Sequence, residues 1–354
     1  MKSKIIILLF LFLLFFIFGT YFLEQEKEST NVSSYSDFNY FEQNEVDGNN
    51  LEKLDLSVFF CPEDDCKNKL LDLIYDSNKS IYCALYSLTD NDIYDAIRTK
   101  QKENLDIKIV TDLINTNRST SKIGLLKADG VSIITNPEEN KYMHNKYCVF
   151  DENVLLVGSA NFTNDSFLSN NNILIIKDSE LSKIFYDKIN SYFQNNFSKD
   201  YLLIQNQIKN SQINFCPNDD CFDSVVKYLR ESRESIYCMF YSYTLNDFSY
   251  ELKRIKSIYP DIDIKIIIEK DLCSYPYCEY NSLLKDNIEI IFDENNNTMH
   301  NKFCVFDKKV VMTGSMNMSL NGIKNNEESL IFIEDNNLSQ KYENYFFKYW
   351  FLWK

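Results

Sequence analysis

The feature that most constrains the fold is an internal repeat that spans most of the chain. The segment HNKYCVFDENVLLVGSAN, which begins at His144, returns as HNKFCVFDKKVVMTGSMN, which begins at His300, 156 positions later (300 minus 144). CPEDDC and CPNDDC repeat at nearly the same offset. Because a duplicated unit folds twice in the same way and packs against its copy, we expect two similar halves related by a pseudo-twofold axis.

Each half alternates short apolar runs of strand type with amphipathic helical segments. Residues 80–83 and 106–110 are such runs in the first half, and residues 235–238 and 263–267 correspond to them in the second. Strands that alternate with helices predict an α/β fold, in which each half is an α-β-α sandwich with a mixed sheet. We place the halves at residues 51–205 and 206–354.

The N-terminus carries a targeting signal. Residues 5–18 are uniformly apolar and extend through Leu23, which is close to the ~20 residues that cross a bilayer. Lys2 and Lys4 precede the run and acidic residues follow it, so the positive-inside rule predicts a cytoplasmic N-terminus. The missing small-x-small site favours an uncleaved anchor at residues 1–23 over a cleaved signal peptide. Residues 24–50 are polar and predict a flexible stalk.

The ten cysteines suit an exported domain. Three Cys-x4-Cys pairs predict short-range disulfides, with a structural zinc site as the alternative: Cys61/Cys66, Cys216/Cys221 and Cys273/Cys278. The remaining four lie in apolar strand-like runs and are expected to be buried thiols: Cys83, Cys148, Cys238 and Cys304. Sequons inside the repeated motif argue against a glycosylating lumen and favour the outer side of a prokaryotic cell membrane.

The repeated motif reads His-x-Lys, four residues, Asp, six residues, Gly-Ser-x-Asn, and it contains the only two histidines of the chain. The first copy consists of His144, Lys146, Asp151, Gly158, Ser159 and Asn161. The second copy consists of His300, Lys302, Asp307, Gly314, Ser315 and Asn317. A chain that keeps histidine for two matched places is expected to use both imidazoles together, on one phosphodiester.

We expect the motif residues to play three different parts. On a strand from His144 to Phe150, His144 and Lys146 project from one face, because side chains two residues apart share a face. Asp151 lies on the other face and is predicted to cap the turn at 151–153, a structural role that Asp307 repeats. Gly158 and Gly314 are expected to let the backbone approach a ligand. The neutral donors beside the lysines are Ser159, Asn161, Ser315 and Asn317.

Both copies around one pocket supply two imidazoles, two ammonium groups and several neutral donors, without a recognisable metal cage, so we expect no cofactor. Lysine and asparagine side chains bind the non-bridging oxygens of a phosphate and stabilise the charge that develops during phosphoryl transfer. One neutral histidine attacks phosphorus, and the other donates a proton to the leaving oxygen.

The paired pattern resembles the HKD signature of the phospholipase D superfamily, nearest the compact branch of mitochondrial cardiolipin hydrolase and the small bacterial endonucleases. The resemblance covers roughly residues 56–354. It implies a metal-independent phosphodiesterase in which His144 is the nucleophile and His300 the general acid. Members of that branch carry one motif per chain and dimerise, whereas this chain supplies both half-sites, so we expect a monomer.

One position departs from the family pattern, which has Asn-x-Glu about ten residues after the motif asparagine. The second copy has it as Asn326-Glu327-Glu328, but the first copy has Asn172 at the matching place. A carboxylate favours a protonated imidazole, so we expect Glu328 to act on His300. The missing carboxylate leaves a catalytically degenerate phosphate-binding module as an alternative.

The expected partners are a phosphodiester substrate and, through the N-terminal helix, a membrane. A formal net charge of −15 disfavours nonspecific tracking along nucleic acid and suits a phospholipid head group. The resemblance keeps a second substrate open, single-stranded DNA or RNA cut to 5′-phosphate ends. Phosphatidyl transfer to an alcohol is a third interpretation.

Overall fold

The computed structural model describes residues 53–138, 141–194, 197, 207–274 and 277–354. The predicted anchor and stalk, residues 1–50, lie outside the described residues. Residues from Leu51 to Lys354 form one compact unit. Among the helices of the described ranges, none is both long and apolar enough to cross a membrane.

The first half contains seven strands and six helices within its described residues. The strands are β1 (Asp55–Cys61), β2 (Ser80–Leu85), β3 (Asp106–Thr111), β4 (Ser132–Thr135), β5 (Lys146–Phe150), β6 (Val154–Gly158) and β7 (Asn171–Lys177). The helices are α1 (Cys66–Asp76), α2 (Asn91–Lys102), α3 (Leu113–Thr116), α4 (Ile123–Ala128), α5 (Asn164–Phe167) and α6 (Ser179–Phe193).

The second half repeats this order after a short added strand. Its strands are β8 (Gln207–Ile208), β9 (Ser211–Cys216), β10 (Ser235–Phe240), β11 (Asp263–Ile268), β12 (Glu289–Phe292), β13 (Lys302–Phe306), β14 (Val310–Gly314) and β15 (Glu328–Glu334). Its helices are α7 (Cys221–Glu231), α8 (Asn246–Ile258), a 3-10 turn (Asp271–Ser274), α9 (Tyr280–Leu284), α10 (Leu320–Lys324) and α11 (Asn336–Trp353).

Each half builds one mixed sheet, as predicted. The strand orders are β1-β7-β6-β5-β2-β3-β4 and β12-β11-β10-β13-β14-β15-β9-β8, so the second sheet follows the same sequence of neighbours as the first. β2, β3 and β4 pair in parallel, whereas β5, β6, β7 and β1 pair antiparallel. β5 and β13, which follow the motif histidines, occupy the middle of their sheets.

The two halves share their central core. Along β2 the side chains alternate: Tyr82 and Ala84 face a core common to both sheets, and Ile81, Cys83 and Leu85 face the outer helices of the first half. The long helices α6 and α11 contribute to the common core, and each begins at an aspartate, Asp178 or Asp335, that accepts a backbone N–H of the first turn. Because the common core draws on both sheets, the halves pack as one body.

The C-terminal aromatic residues belong mainly to this core. Tyr345, Phe346 and Trp350 are buried against the sheets. Phe351 and Leu352 remain exposed, at 75% and 67% of their surface.

The three Cys-x4-Cys pairs form the short-range disulfides that were predicted. The bonds are Cys61–Cys66, Cys216–Cys221 and Cys273–Cys278. The zinc alternative is wrong, because every cysteine of these pairs, Cys278 included, is bonded to its partner and leaves no thiolate for a metal. The Cys273–Cys278 pair differs from the other two: it has no counterpart in the first half, and both of its cysteines are only half-buried.

Two further disulfides correct the sequence prediction. The prediction of buried free thiols was wrong, because Cys83 bonds to Cys148 and Cys238 bonds to Cys304. The physical reason is strand register: Cys83 stands directly opposite Cys148 in the β2–β5 pair, and Cys238 opposite Cys304 in the β10–β13 pair.

Candidate active site

The two motif histidines lie just before β5 and β13, in segments that are held by the opposite half. The backbone N–H of His144 donates to the carbonyl of Glu327 at 2.9 Å, and the N–H of His300 donates to the carbonyl of Asn170 at 2.8 Å. Parallel bridges between Met143 and Glu327, and between Asn170 and Met299, extend both contacts. The contacts are reciprocal, which is the pattern that a twofold relation produces. The strand predicted to begin at His144 begins two residues later, at Lys146.

His144 is paired with a carboxylate at the start of β15 in the second sheet. Its Nδ1 lies 2.8 Å from both carboxylate oxygens of Glu328, and Asn326 Nδ2 donates to Oε1 of the same carboxylate at 3.2 Å. Glu328 is fully buried, and His144 is 8% exposed. A carboxylate that accepts Nδ1–H fixes the imidazole tautomer, so that the lone pair is on Nε2.

The structure corrects two sequence predictions about this carboxylate. Glu328 contacts His144 and not His300, because the second half reaches across to hold the first motif. The counterpart of Glu328 is Asn171 and not Asn172: Glu328 pairs with Cys216 as Asn171 pairs with Cys61. Asn172 instead accepts the Tyr342 hydroxyl at 3.0 Å between the halves. Sequence spacing placed the repeat one residue off.

His300 is held by neutral groups of the first half. Its Nδ1 lies 2.9 Å from Asn171 Oδ1 and 3.1 Å from the carbonyl oxygen of Ser159. The amide of Asn171 is oriented by its own contacts, since Nδ2 donates to the Ser166 carbonyl at 2.8 Å and Ser159 Oγ donates to Oδ1 at 2.8 Å. Both neighbours of Nδ1 are acceptors, so Nδ1 carries a proton.

The two motif lysines are buried beside their histidines. Lys146 and Lys302 are each 1% exposed, and each Nζ donates to the carbonyl oxygen of its own histidine, at 2.5 and 2.7 Å. Burial lowers the pKa of Lys146 to about 7, while Glu328 and Asp112 act in the opposite direction. Burial also lowers the pKa of Lys302 well below its ordinary value, and Lys146 lowers it further.

The histidines experience the same field. Burial lowers the pKa of His144 well below its ordinary value, and Lys146 and Lys302 lower it further. Burial likewise lowers the pKa of His300, with additional contributions from Lys302, Lys146 and His144. Burial raises the pKa of Glu328, whereas Lys146 and Lys302 lower it and so favour the ionised carboxylate. The ionised form is the one that accepts Nδ1–H from His144, which lies 2.8 Å from both carboxylate oxygens. The mutual influence of these groups places them in one electrostatic environment that favours an anion.

Four residues of this environment were missed by the sequence analysis. The Tyr86 ring contacts His144 (centroids 4.9 Å) and lies 5.3 Å from Lys146 Nζ, and Tyr241 does the same for His300 (4.5 Å) and Lys302 (4.9 Å). Asp112 accepts the Met143 N–H at 3.1 Å, and Glu269 accepts the Met299 N–H at 2.6 Å, one residue before each histidine. The sequence contained a signal for these residues, because they recur at matching places in the two halves. Tyr86 and Tyr241 come directly after β2 and β10, and Asp112 and Glu269 come directly after β3 and β11.

The predicted neutral donors separate into two groups. Ser159 and Ser315 are fully buried, and their hydroxyls accept the backbone N–H groups of Asn172 and Ser329 at 3.0 Å. They therefore brace the strands that carry Asn171 and Glu328. Asn161 and Asn317 are half-buried, and their side-chain oxygens find no hydrogen-bond partner among the described residues.

The motif aspartates and glycines lie in structural positions. Asp151 accepts the backbone N–H groups of residues 78–80 at 2.7–3.1 Å, and Asp307 does so for residues 233–235. They therefore hold the turns before β2 and β10, not their own turns as predicted. A Cβ on Gly158 or Gly314 would meet a carbonyl of the neighbouring strand at 2.1 Å. The close approach at these glycines is to β7 and β15 and not to a ligand.

The six cysteines of the short-range disulfides are structural as well. Cys61 and Cys66 pack in the outer core of the first half, and the other four pack in or against the outer core of the second half: Cys216, Cys221, Cys273 and Cys278. In the described part of the chain, no group of three or more His, Cys, Asp or Glu side chains is placed to hold a metal ion.

Comparison with known proteins agrees with this geometry. The family described as "Cardiolipin synthase, PLD-like domain" matches residues 70–201 and 225–350. The phospholipase D of Rickettsia typhi is 28% identical over 149 residues, which cover 42% of this chain and 72% of that protein. The mitochondrial cardiolipin hydrolase of Mus musculus is 25% identical over 122 residues, which cover 34% of this chain and 55% of the relative.

A solved structure shows the same fold across both halves. The phosphatidylserine synthase of Haemophilus influenzae Rd KW20 superposes with a TM-score of 0.66 at 14% identity, over 82% of this chain and 85% of that one. The family match covers well over half of the chain and falls in both repeats. This protein therefore belongs to the phospholipase D superfamily and is a phosphodiesterase of that type.

Proposed function

We propose that the protein hydrolyses a phospholipid phosphodiester through a phosphohistidine on His144. The observation that carries the proposal is the crossed pairing: Nδ1 of each histidine is held by the opposite half, His144 by Glu328 and His300 by Asn171. Because Nδ1 of each ring is engaged, Nε2 is the nitrogen of each imidazole that is left to act on a substrate.

In the first step, the Nε2 lone pair of His144 attacks phosphorus as the bond to the leaving oxygen breaks. Glu328 accepts Nδ1–H and stabilises the positive charge that develops on the imidazole. His300, protonated at Nε2 in the substrate complex, gives this proton to the leaving oxygen. Lys146 and Lys302 bind the non-bridging oxygens, whose negative charge they stabilise.

In the second step, His300 acts as the base. Its Nε2 takes a proton from water, the water oxygen bonds to phosphorus, and the P–N bond to His144 breaks. His144 recovers its lone pair and His300 recovers its proton. The net reaction adds one water across the phosphodiester.

The phospholipid is favoured by the charge of −15, which repels a polyanionic strand, and by relatives named phospholipase D and cardiolipin hydrolase. The predicted anchor at residues 1–23 would hold the enzyme at a membrane, with the catalytic unit outside the cytoplasm. Fractionation of cells that express the full chain, with and without residues 1–23, tests this location.

The substrate class is tested with residues 51–354, the compact unit, in the presence of EDTA. The preparation is offered phospholipid vesicles and, separately, labelled single-stranded DNA and RNA, and the H144N variant is the control. We expect head-group release that H144N abolishes. Strand cleavage without head-group release would identify a nuclease. Binding without turnover on every substrate, by a folded protein, would identify a degenerate phosphate-binding module.

A further inference from the structure

The two histidines occupy matching places, but their Nδ1 partners differ in charge. His144 is paired with a carboxylate, Glu328, and His300 is paired with a carboxamide, Asn171, at nearly equal distances of 2.8 and 2.9 Å. Both partners are fully buried at the first position of corresponding strands, β15 and β7. The site is thus symmetric in shape and asymmetric in charge.

This difference changes the chemistry of the two rings. A buried carboxylate stabilises the positive charge that an imidazole acquires when Nε2 bonds to phosphorus, so it makes the ring a better nucleophile. A carboxamide oxygen accepts the same Nδ1–H bond but adds no negative charge, so the protonated ring gives up its proton more readily.

We propose that Asn171 is a positioning residue that makes the site directional, because its neutral amide keeps His300 as the acid while Glu328 makes His144 the nucleophile. The proposal rests on the proposed function. It explains why the first half has a neutral amide where the second half has a carboxylate. Asn171 is then a selected neutral acceptor and not a mark of degeneracy.

The charged groups that act most strongly on His300 are cations, so none of them is a counterion for its protonated ring. Lys302, Lys146 and His144 all act on it in the direction of deprotonation, and the Tyr241 ring covers its face. The neighbouring carboxylate, Glu269, accepts the N–H of Met299 at 2.6 Å, whereas Nδ1 of His300 is bound by Asn171 and by the carbonyl of Ser159. An aspartate at position 171 would place a negative charge within hydrogen-bond distance of Nδ1.

The chain has only two histidines, so imidazole labelling allows a direct test. With 13C-labelled histidine, the full-length protein gives two imidazole signals, which H144N assigns. In N171D, we expect the titration midpoint of His300 to move upward by about one pH unit or more. The N171A variant is the control for packing and should not move the midpoint upward. An unmoved midpoint in a folded N171D protein would overturn the proposal.

Exchanging the charges at positions 171 and 328 tests which histidine acts as the nucleophile. In the isosteric double variant N171D/E328Q, incubated with a phosphodiester that has a p-nitrophenolate leaving group, we expect the covalent phosphoryl group on His300. In the wild type we expect it on His144. An adduct that stays on His144 in the double variant, with wild-type turnover intact, overturns the inference alone. Full turnover in H144N would instead overturn the proposed function.

Discussion

Lys146, Lys302, His144 and His300 surround the centre of the site, with Glu328 as their buried carboxylate. Burial holds the pKa values of these lysines and histidines low, and neighbouring cations lower those of Lys302, His144 and His300 further, so the four groups do not all carry a positive charge at once. A bound anion reverses this, because it stabilises the protonated forms. We therefore expect His300 to become protonated when the substrate binds.

This gives a prediction for anion binding. Sulfate, whose charge is constant near neutral pH, should bind the H144N variant with uptake of roughly one proton, since binding raises the depressed pKa values. Affinity should accordingly rise as pH falls. Titration calorimetry in two buffers of different ionisation enthalpy measures the uptake. The K302M variant, which lacks one ammonium group, should take up less. Binding without uptake, or tighter binding at high pH, would contradict the described electrostatics.

At the residue scale, the motif pointed to the two histidines and the two lysines but not to their hydrogen-bond partners. The sequence predicted that Glu328 acts on His300, because the spacing suggests that the carboxylate contacts the histidine of its own copy of the motif. The contact that matters crosses between the halves, from the start of β15 to the segment before β5. Only the packing of the two halves against each other reveals it.

At the scale of elements, the strand pair β2–β5 supports the first half of the site. Leu85 stands opposite Lys146, and the Cys83–Cys148 disulfide joins the same strands two residues further along. Tyr86, which covers His144, follows directly after β2. The β10–β13 pair repeats this arrangement with its own cross-strand disulfide.

The Cys83–Cys148 disulfide is expected to matter more for stability than Cys61–Cys66. Their sequence separations are 65 and 5 residues, so the chain-entropy relation predicts losses of about 4 and about 2 kcal/mol in the free energy of unfolding. Urea unfolding of C83A/C148A and of the matched control C61A/C66A measures both. Equal losses, or a larger loss in the control, would contradict this ranking.

The elements themselves were predictable because strand and helix periodicity repeats in both halves. The helices α1 and α7 both begin at the second cysteine of a Cys-x4-Cys pair. The cross-strand disulfides were not predictable, because strand order and register decide which buried cysteines face each other. Composition indicates only that the residues are buried.

At the scale of the whole molecule, each half of the duplication supplies residues that hold the histidine of the other half. The backbone and Nδ1 of each histidine are bound by residues of the other half, and the core between the sheets is continuous. The repeat predicted this architecture, since identical motif spacing in both copies requires equivalent positions. The sequence revealed that one half lacks a carboxylate, but it matched Asn172 and not Asn171 with Glu328, and it did not show which histidine Glu328 contacts.

The central claim is that His144 forms the bond to phosphorus, and that His300, in the other half, acts first as the acid and then as the base. The most direct measurement uses the H300N variant and a phosphodiester with a p-nitrophenolate leaving group, which needs no acid to depart. The first step should then proceed while the second, which needs His300 as base, stalls. We predict a burst of one nitrophenolate per chain and a phosphoryl adduct on His144 by peptide mass spectrometry under alkaline conditions. An adduct on His300 in the H144N variant, or no adduct in a folded H300N protein, would contradict the account.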